Sequence, residues 1–504
     1  MVKNKTNRTH EESMPILLAM NRDMYGIIKW CTPSIHPRVP RVNGIYDNDI
    51  SISYHSLGNP TLNTGIFKKA HELAAKAYKA EHTLFSVNGS SGSNFMVLRA
   101  LSHQLKKVHM LAQRNVHKSI SVASEDYRIN MNYLPPHYDE SLQIFIPNTI
   151  AEFEKGLKRY PETNVVFISN PTYEGLSLDL PKLVKSIRKI NPEIIIFVDE
   201  AWGSLFPFSD EMPTSSMQSG VDICVQSTHK EGSGLQQTSM IHWQGKRINE
   251  KHIIDAYRSL ITTSPSFHLL ASLDGARYLM QTQGEDIIKD QIAVADKLEK
   301  ELSKIKGLKV VSRSSIVKKY PQVKAIDKTR VLVNVKGTGL AGYEIAKSLE
   351  SEHKVIVEKY EANNISFIAI LQNTDYEVVE TAKRLKICIQ NLSKRKYKSR
   401  TDFPKFPLKI NKKLPSYTVI EKTVIEQSLK KSIGLICAEN IVPYPPGIPL
   451  IVKGEVIGKE HINYLKAIAK LQGLISIIIN DNKAKKILIV VEKVNKSLFN
   501  SFSN

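Results

Sequence analysis

"VDICVQSTHKEGSGLQQTSMIHW" occupies residues 221–243. Its first six residues are mostly apolar and β-branched, the composition of a buried strand. STHK follows at once, then Gly232 and Gly234. That order puts Lys230 at the C-terminal end of a buried strand, where open α/β sheets form their ligand crevice. An arbitrary member of the 70 Lys and Arg is a solvated charge. A lysine on a crevice floor is different, because desolvation lowers the pKa of the amine and leaves it nucleophilic.

The rhythm on either side sets the fold class. HTLFSV (82–87), NVVFIS (164–169) and EIIIFVD (193–199) read as further strands. LPKLVKSIRKI (180–190) and FKKAHELAAKAYKA (67–80) read as helices, the latter with Phe67, Ala70, Ala74 and Ala77 on one face. Near-continuous apolar strands alternating with helices predict an α/β fold with a mostly parallel sheet covered on both faces. Residues 1–50 read as an N-terminal arm, helix-like near 14–29 and then a proline-broken loop, CTPSIHPRVPRVNG. Residues 51–285 would form the large domain. Over 286–400, VLVNV, GYEIAKSLE, VIVEKY and FIAIL predict a smaller α+β domain. Residues 394–413 hold nine Lys or Arg against one Asp, with Pro404 and Pro407, and read as a solvated linker. A C-terminal domain over 401–504 follows, with LISIII and ILIVV as strands.

A chain of 504 residues has room for two or three domains, and 42% hydrophobic with 24% charged residues is a globular composition. The net charge is +21, but the lysines are spread along the chain and no zinc knuckle or aromatic RNA-binding signature accompanies them. No nucleic-acid partner is therefore expected. Cys31, Cys224, Cys388 and Cys437 are far apart, with no C-x-x-C, so neither a disulfide framework nor a metal site is expected. With no secretory h-region and no membrane span, a cytoplasmic protein without a membrane partner is the expectation.

Four features carry chemistry. NGSSGSN (88–94) separates strand from helix, so backbone N–H groups and the hydroxyls of Ser90, Ser91 and Ser93 can meet an anion. Asp199 ends EIIIFVD, where a carboxylate is costly unless paired with a cation. Lys230 ends the next strand, flanked by Ser227 and His229. RNVHKS (114–119) puts His117 on a loop or strand edge. A phosphate cradle, a carboxylate and a nucleophilic lysine, in that chain order, suit pyridoxal 5'-phosphate. The lysine holds the aldehyde, the carboxylate keeps the ring nitrogen protonated, and an aromatic or imidazole face covers the ring. Ser227-x-x-Lys230 also fits the S-x-x-K signature of penicillin-binding enzymes, which needs the Ser at a helix start and a companion K-T-G. Here a strand precedes, glycines follow, and the companion is KGTG (336–339).

The motifs also resemble those of the Orn/Lys/Arg decarboxylase family, in its compact form without the wing domain. VNGSSGSN is similar to its VNGST-SGN loop, and RNVHKS to RN-C-HKS. NPTYEGLSLDL, VDEAWGSLF, STHKEGSGLQQTSMIH, TTSPSFHLLASLDGAR and AENIVPYPPGIPLIVKGE resemble further family motifs, in order from about 60 to 455. The resemblance implies an aspartate-aminotransferase-like fold type I enzyme. It would convert a basic amino acid, arginine ahead of lysine or ornithine, to the amine and CO2 in polyamine-related metabolism. By matching position, Lys230 would be the Schiff-base lysine, Asp199 the partner of the pyridine nitrogen and His117 the stacking ring. Ser90, Ser91, Ser227 and His229 would hold the phosphate. Thr263 and Ser264 would complete the site of a neighbouring subunit, implying a homodimer or higher oligomer. Trp202, Glu439 and Tyr444 would face the substrate. Three segments depart from the family pattern: TPGHK is TPSIHP (32–37), DEAHGAH is DEAWGSL, and D-P-T-K is DKTR (327–330). An aminotransferase or aldolase would share the cofactor residues but lacks the VPYPPGIP block. A non-catalytic cofactor-binding subunit is the alternative of another class.

Overall fold

The computed structural model describes residues 27–41, 44–46, 49, 55–394, 405–444, 447–470, 476–479 and 485–491. Its central sheet has seven strands: β1 (His82–Ser86), β2 (His109–Ala112), β3 (Asn130–Tyr133), β4 (Val165–Ser169), β5 (Ile195–Asp199), β6 (Ile223–Gln226) and β7 (Ser239–Trp243). The order is β1-β7-β6-β5-β4-β2-β3. Strands β2 to β6 pair in parallel, with Val225 opposite Asp199 and Asp199 opposite Ser169. Only β7 is reversed, antiparallel to both β6 and β1. β7 is the tail of the opening stretch, where Ser239 and His242 interrupt the apolar run. Both have partners: Ser239 Oγ lies 2.8 Å from Ser93 Oγ on the helix Gly89–Leu105, and His242 Nδ1 lies 2.7 Å from Thr83 Oγ1 on β1.

Strand parity sorts the core into two layers. Val165, Phe167, Ile195 and Phe197 pack with α1 (Gly89–Leu105), α2 (Lys118–Asp126) and the helices Gly65–Ala77 and Glu250–Leu260. Val166, Ile168, Ile196 and Val198 pack on the opposite face with the helices Ile150–Arg159 and Leu180–Ile190. By the same alternation Asp199 belongs to the α1/α2 side, which decides its neighbours.

The smaller unit is a four-stranded antiparallel sheet: Lys309–Val310, Arg330–Asn334, Asn364–Ile368 and Lys359–Tyr360. The 37-residue helix Phe267–Ser303 serves both units, burying Leu270 and Leu273 in the first core and Ala295, Leu298 and Leu302 in the second. The boundary expected at 285 therefore falls inside a continuous helix. Of the helix expected near 14–29, residues 14–26 lie outside the described residues. Ile28–Trp30 is instead a strand, parallel to Val355–Val357, with Trp30 Nε1 donating to Thr381 Oγ1 at 2.6 Å. Much of the expected linker, 395–404, also lies outside the described residues.

At the C-terminal end, Val424–Ser428 pairs with Lys486–Val490 and Val442–Tyr444 with Ser476–Ile478. These strands and the helix Lys459–Ala469 enclose Cys437, Ile441, Leu450, Ile451 and Leu465. Among the described residues no helix is long and apolar enough to cross a membrane.

Candidate active site

A cavity of about 500 Å³ opens where β4 and β5 end and α1 begins. The serine-glycine segment is not a loop ahead of the helix, as its composition suggests; α1 starts at Gly89. Gly89 has φ +65°, a left-handed backbone that disfavours any side chain. Ser90 and Ser91 then stand in the first turn, whose N–H groups lack intrahelical partners, and both line the cavity. Ser93 turns away to Ser239.

Asp199 meets α1 and α2 as its parity requires. Asn94 Nδ2 donates to Asp199 Oδ2 at 3.2 Å and to Ser119 Oγ at 3.1 Å, and Ala201 N–H donates to Asp199 Oδ1 at 3.1 Å. Burial raises the Asp199 pKa, and the Lys230 charge and these donors oppose that rise. His117 sits at the N-cap of α2, with Nδ1 accepting from Ser119 N–H at 3.3 Å and 2.9 Å from Ser119 Oγ. His117, Ser119, Asn94 and Asp199 are thus wired in sequence. Burial first, then Lys230 and Lys118, push the His117 pKa down to about 4, so the ring is neutral near pH 7.

Lys230 lies in a short helix, Thr228–Glu231, with Ser227 as its N-cap. Its carbonyl accepts from Ser34 N–H at 2.9 Å, so the arm buttresses the turn. Its Nζ is 3.8 Å from the centre of the Trp202 ring. Burial lowers the amine pKa to about 8 against the pull of Asp199 and Glu358. His229 Nδ1 lies 2.7 Å from the Thr238 carbonyl, which fixes that nitrogen as the donor. The Ser at a helix start that S-x-x-K requires is therefore present here. The other half of that signature is not: Lys336–Thr338 forms a turn in the smaller unit and does not line the cavity.

The cavity wall gathers Ser90, Ser91, His117, Asp199, Trp202, His229 and Lys230. Ser227 is not in the wall, but its Oγ is buried with no partner. Thr263 and Ser264 are exposed and outside this chain's cavity. Glu439 also lies elsewhere: it is buried in the C-terminal unit and accepts from Leu488 N–H at 2.7 Å. Tyr444 ends the strand Val442–Tyr444, and its side chain lies outside the described ones.

The wall also holds Glu358, which no local pattern in the sequence marks, and Glu174, inside NPTYEGLSLDL. Glu358 accepts from Tyr173 Oη at 2.6 Å and from Thr32 N–H at 2.9 Å. Glu174 pairs with Lys359 at 2.6 Å, and Lys359 also contacts Glu361 at 2.8 Å. Two departures from the family pattern meet: the Arg330 guanidinium lies 4.4 Å from the Trp202 ring centre. Arg330 is held by Asp327 at 3.0 Å and lies 3.0 Å from Glu231, the residue after Lys230. The Trp202 ring therefore already carries two cations of the protein's own.

Residues 43–376 match the family model for the Orn/Lys/Arg decarboxylase major domain, and residues 393–474 that for its C-terminal domain. The chain belongs to this family. It is 30% identical to arginine decarboxylase of Bacillus subtilis, over 80% of this chain and 81% of that protein. It is 32% identical to arginine decarboxylase of Halalkalibacterium halodurans, over 84% of this chain and 85% of that protein. The fold matches lysine decarboxylase of Francisella novicida with a TM-score of 0.73 at 20% identity, over 89% of this chain and 75% of that one. As a member of the Orn/Lys/Arg decarboxylase family, the protein is a pyridoxal-phosphate-dependent decarboxylase of basic amino acids. The residues fit the cofactor. A helix N-terminus with two serines and an orphaned buried Ser227 hydroxyl suits a phosphate, and a buried carboxylate and amine suit the two ends of the ring system.

Proposed function

We propose that the enzyme decarboxylates arginine in preference to lysine or ornithine. The observation that carries this reading is the Glu358 carboxylate in the cavity wall, where the neighbouring Glu174 is already paired with Lys359. A cationic side chain entering a desolvated cavity needs such a partner. Glu358 receives one donor on each oxygen and keeps lone pairs on both, which suits a planar guanidinium. This role moves from Glu439, buried in the C-terminal unit, to Glu358. Trp202, engaged by Lys230 and Arg330, shapes the wall instead of stacking on substrate. The two arginine decarboxylase relatives support the same preference.

In this reading Lys230 would hold the cofactor through its aldehyde. Ser90, Ser91, Ser227 and His229 hold the phosphate, and His117 covers the ring as a neutral imidazole. Asp199 keeps a proton on the ring nitrogen, oriented through Asn94. Bound pyridoxal phosphate supplies the sink for the electron pair left as CO2 departs. Lys230 and His229 are the groups able to return a proton to Cα. Thr263 and Ser264, exposed in one chain, would complete the site of a second copy, so the active unit is a dimer. The location is a reducing cytoplasm, in keeping with the four free cysteines. CO2 release from arginine, lysine, ornithine, leucine and glutamate, each at the same concentration, tests the reading. Fastest release from arginine is expected, and fastest release from leucine or glutamate would overturn it.

A further inference from the structure

The segment that presents His117 is held from outside the large sheet. The C-terminal unit grips residues 114–125 at three points. Arg114, three residues before His117, reaches Glu455 Oε2 at 3.3 Å and the Leu450 carbonyl at 3.4 Å. Lys118 N–H, the first of α2, donates to the Gly447 carbonyl at 3.3 Å. Near the other end of α2, Glu125 accepts from Lys453 Nζ at 2.6 Å and from Asn440 Nδ2 at 2.7 Å. Asn440 Oδ1 in turn accepts from Lys453 N–H at 3.0 Å, which ties the two partners together.

Glu125 is badly placed for any local purpose. It is buried, 4% exposed, and it sits in the last turn of a helix, where the backbone dipole disfavours negative charge. Among the described residues its carboxylate accepts from Asn440 and Lys453, both of the C-terminal unit. No side chain among Glu125, Asn440 and Lys453 lines the cavity, so this cluster cannot act on substrate directly. Fixing α2, however, fixes its N-cap, and the N-cap is His117. The same placement sets Ser119, through which Asn94 and Asp199 are wired to that ring.

We propose that Glu125, Asn440 and Lys453 form a positioning clamp by which the C-terminal unit sets the His117 ring against the cofactor. This rests on the assignment of His117 to the cofactor ring. The clamp explains why a decarboxylase-specific unit is attached to a sheet that already holds the cofactor residues: it trues the ring-covering histidine from behind.

The test uses the full chain with Lys453→Met, Glu125→Gln and Lys453→Arg. Each is read by far-ultraviolet dichroism, by cofactor affinity of the apo-protein in equilibrium dialysis, and by the visible dichroism of bound cofactor. Lys453→Met should keep the fold, lose roughly tenfold in cofactor affinity and change the visible dichroism, with kcat falling more than KM rises. Lys453→Arg should restore most of both cofactor readouts. Glu125→Gln, which keeps one acceptor oxygen, replaces the other with an amide donor and removes the buried charge, should fold and show a smaller change of the same sign. Arg128→Met is the control, because the Arg128–Glu421 pair, 2.8 Å, joins the same two units two residues beyond the end of α2 and is exposed, where an ion pair contributes little. It should leave every readout unchanged. Wild-type affinity and dichroism in both folded Lys453→Met and Glu125→Gln would overturn the clamp, as would a loss in Arg128→Met equal to that in Lys453→Met. If His117→Ala itself leaves the visible dichroism unchanged, the assignment of His117 fails instead; altered dichroism there with none in Lys453→Met removes the clamp alone.

Discussion

Asp199 and Glu358 are both carboxylates that act on the Lys230 amine, and they are held in different ways. Asp199 ends a central strand and is fixed by Asn94 and the Ala201 N–H, all within the large unit. Glu358 stands in the smaller unit and is fixed by Tyr173 from the large unit and Thr32 from the N-terminal arm. The Asp199 end of the cavity is thus built within the large unit, while the Glu358 end is assembled where three parts of the chain meet. A perturbation of the first should damage chemistry, and a perturbation of the second should damage binding and selectivity.

Removing the amine that both carboxylates face gives the largest effect. Lys230→Ala should leave no measurable turnover and no borohydride-stable attachment of cofactor, read by retained absorbance after denaturation. Next, Asp199→Asn should lower kcat by about 100-fold or more, the scale of a lost electrostatic stabiliser, with KM little changed. Near-normal kcat would remove the pairing with the ring nitrogen. Glu358→Gln should do the reverse, raising KM for arginine by about tenfold for a lost charge-assisted hydrogen bond of about 1.5 kcal/mol, while kcat at saturation holds. Equal loss of kcat in both variants would erase the contrast.

The pH dependence sharpens it further. Attack on the cofactor aldehyde needs the unprotonated amine, and the Lys230 pKa is lowered to about 8 by burial. The rate of cofactor uptake by apo-protein should therefore rise with pH and level off above about 8, followed by stopped-flow absorbance. A rate still climbing at pH 10 would show an amine with its ordinary pKa of about 10.4. Smallest is the Trp202–Arg330 stack: in a thermal double-mutant cycle with Trp202→Leu and Arg330→Lys, the two changes should couple by about 0.5–1 kcal/mol. Strict additivity would mean that the two departures from the family pattern meet by coincidence.

The same contrast governs what the sequence reveals. Asp199 and Lys230 follow apolar strands, so local pattern alone puts them at a crevice, and the motif order supports the family. The mostly parallel sheet is legible for the same reason. β7 is harder to see, because Ser239 and His242 are buried polar residues whose partners, Ser93 and Thr83, lie on other elements. Glu358 gives no local signal, because a charge beside a short strand usually faces water, and Arg330, the first residue of its strand, shows only as a departure from the family motif. Glu439 looks suitable from its motif, yet its carboxylate is spent on the Leu488 N–H. The strand at Ile28–Trp30 exists only because Val355–Val357 offers it an edge, which no helical periodicity can anticipate.

The most direct test of the central claim is to reduce the cofactor-loaded protein with borohydride, digest it and locate the modified peptide by mass spectrometry. The label is predicted on Lys230, in the peptide that follows β6. A label on any other lysine would contradict the account.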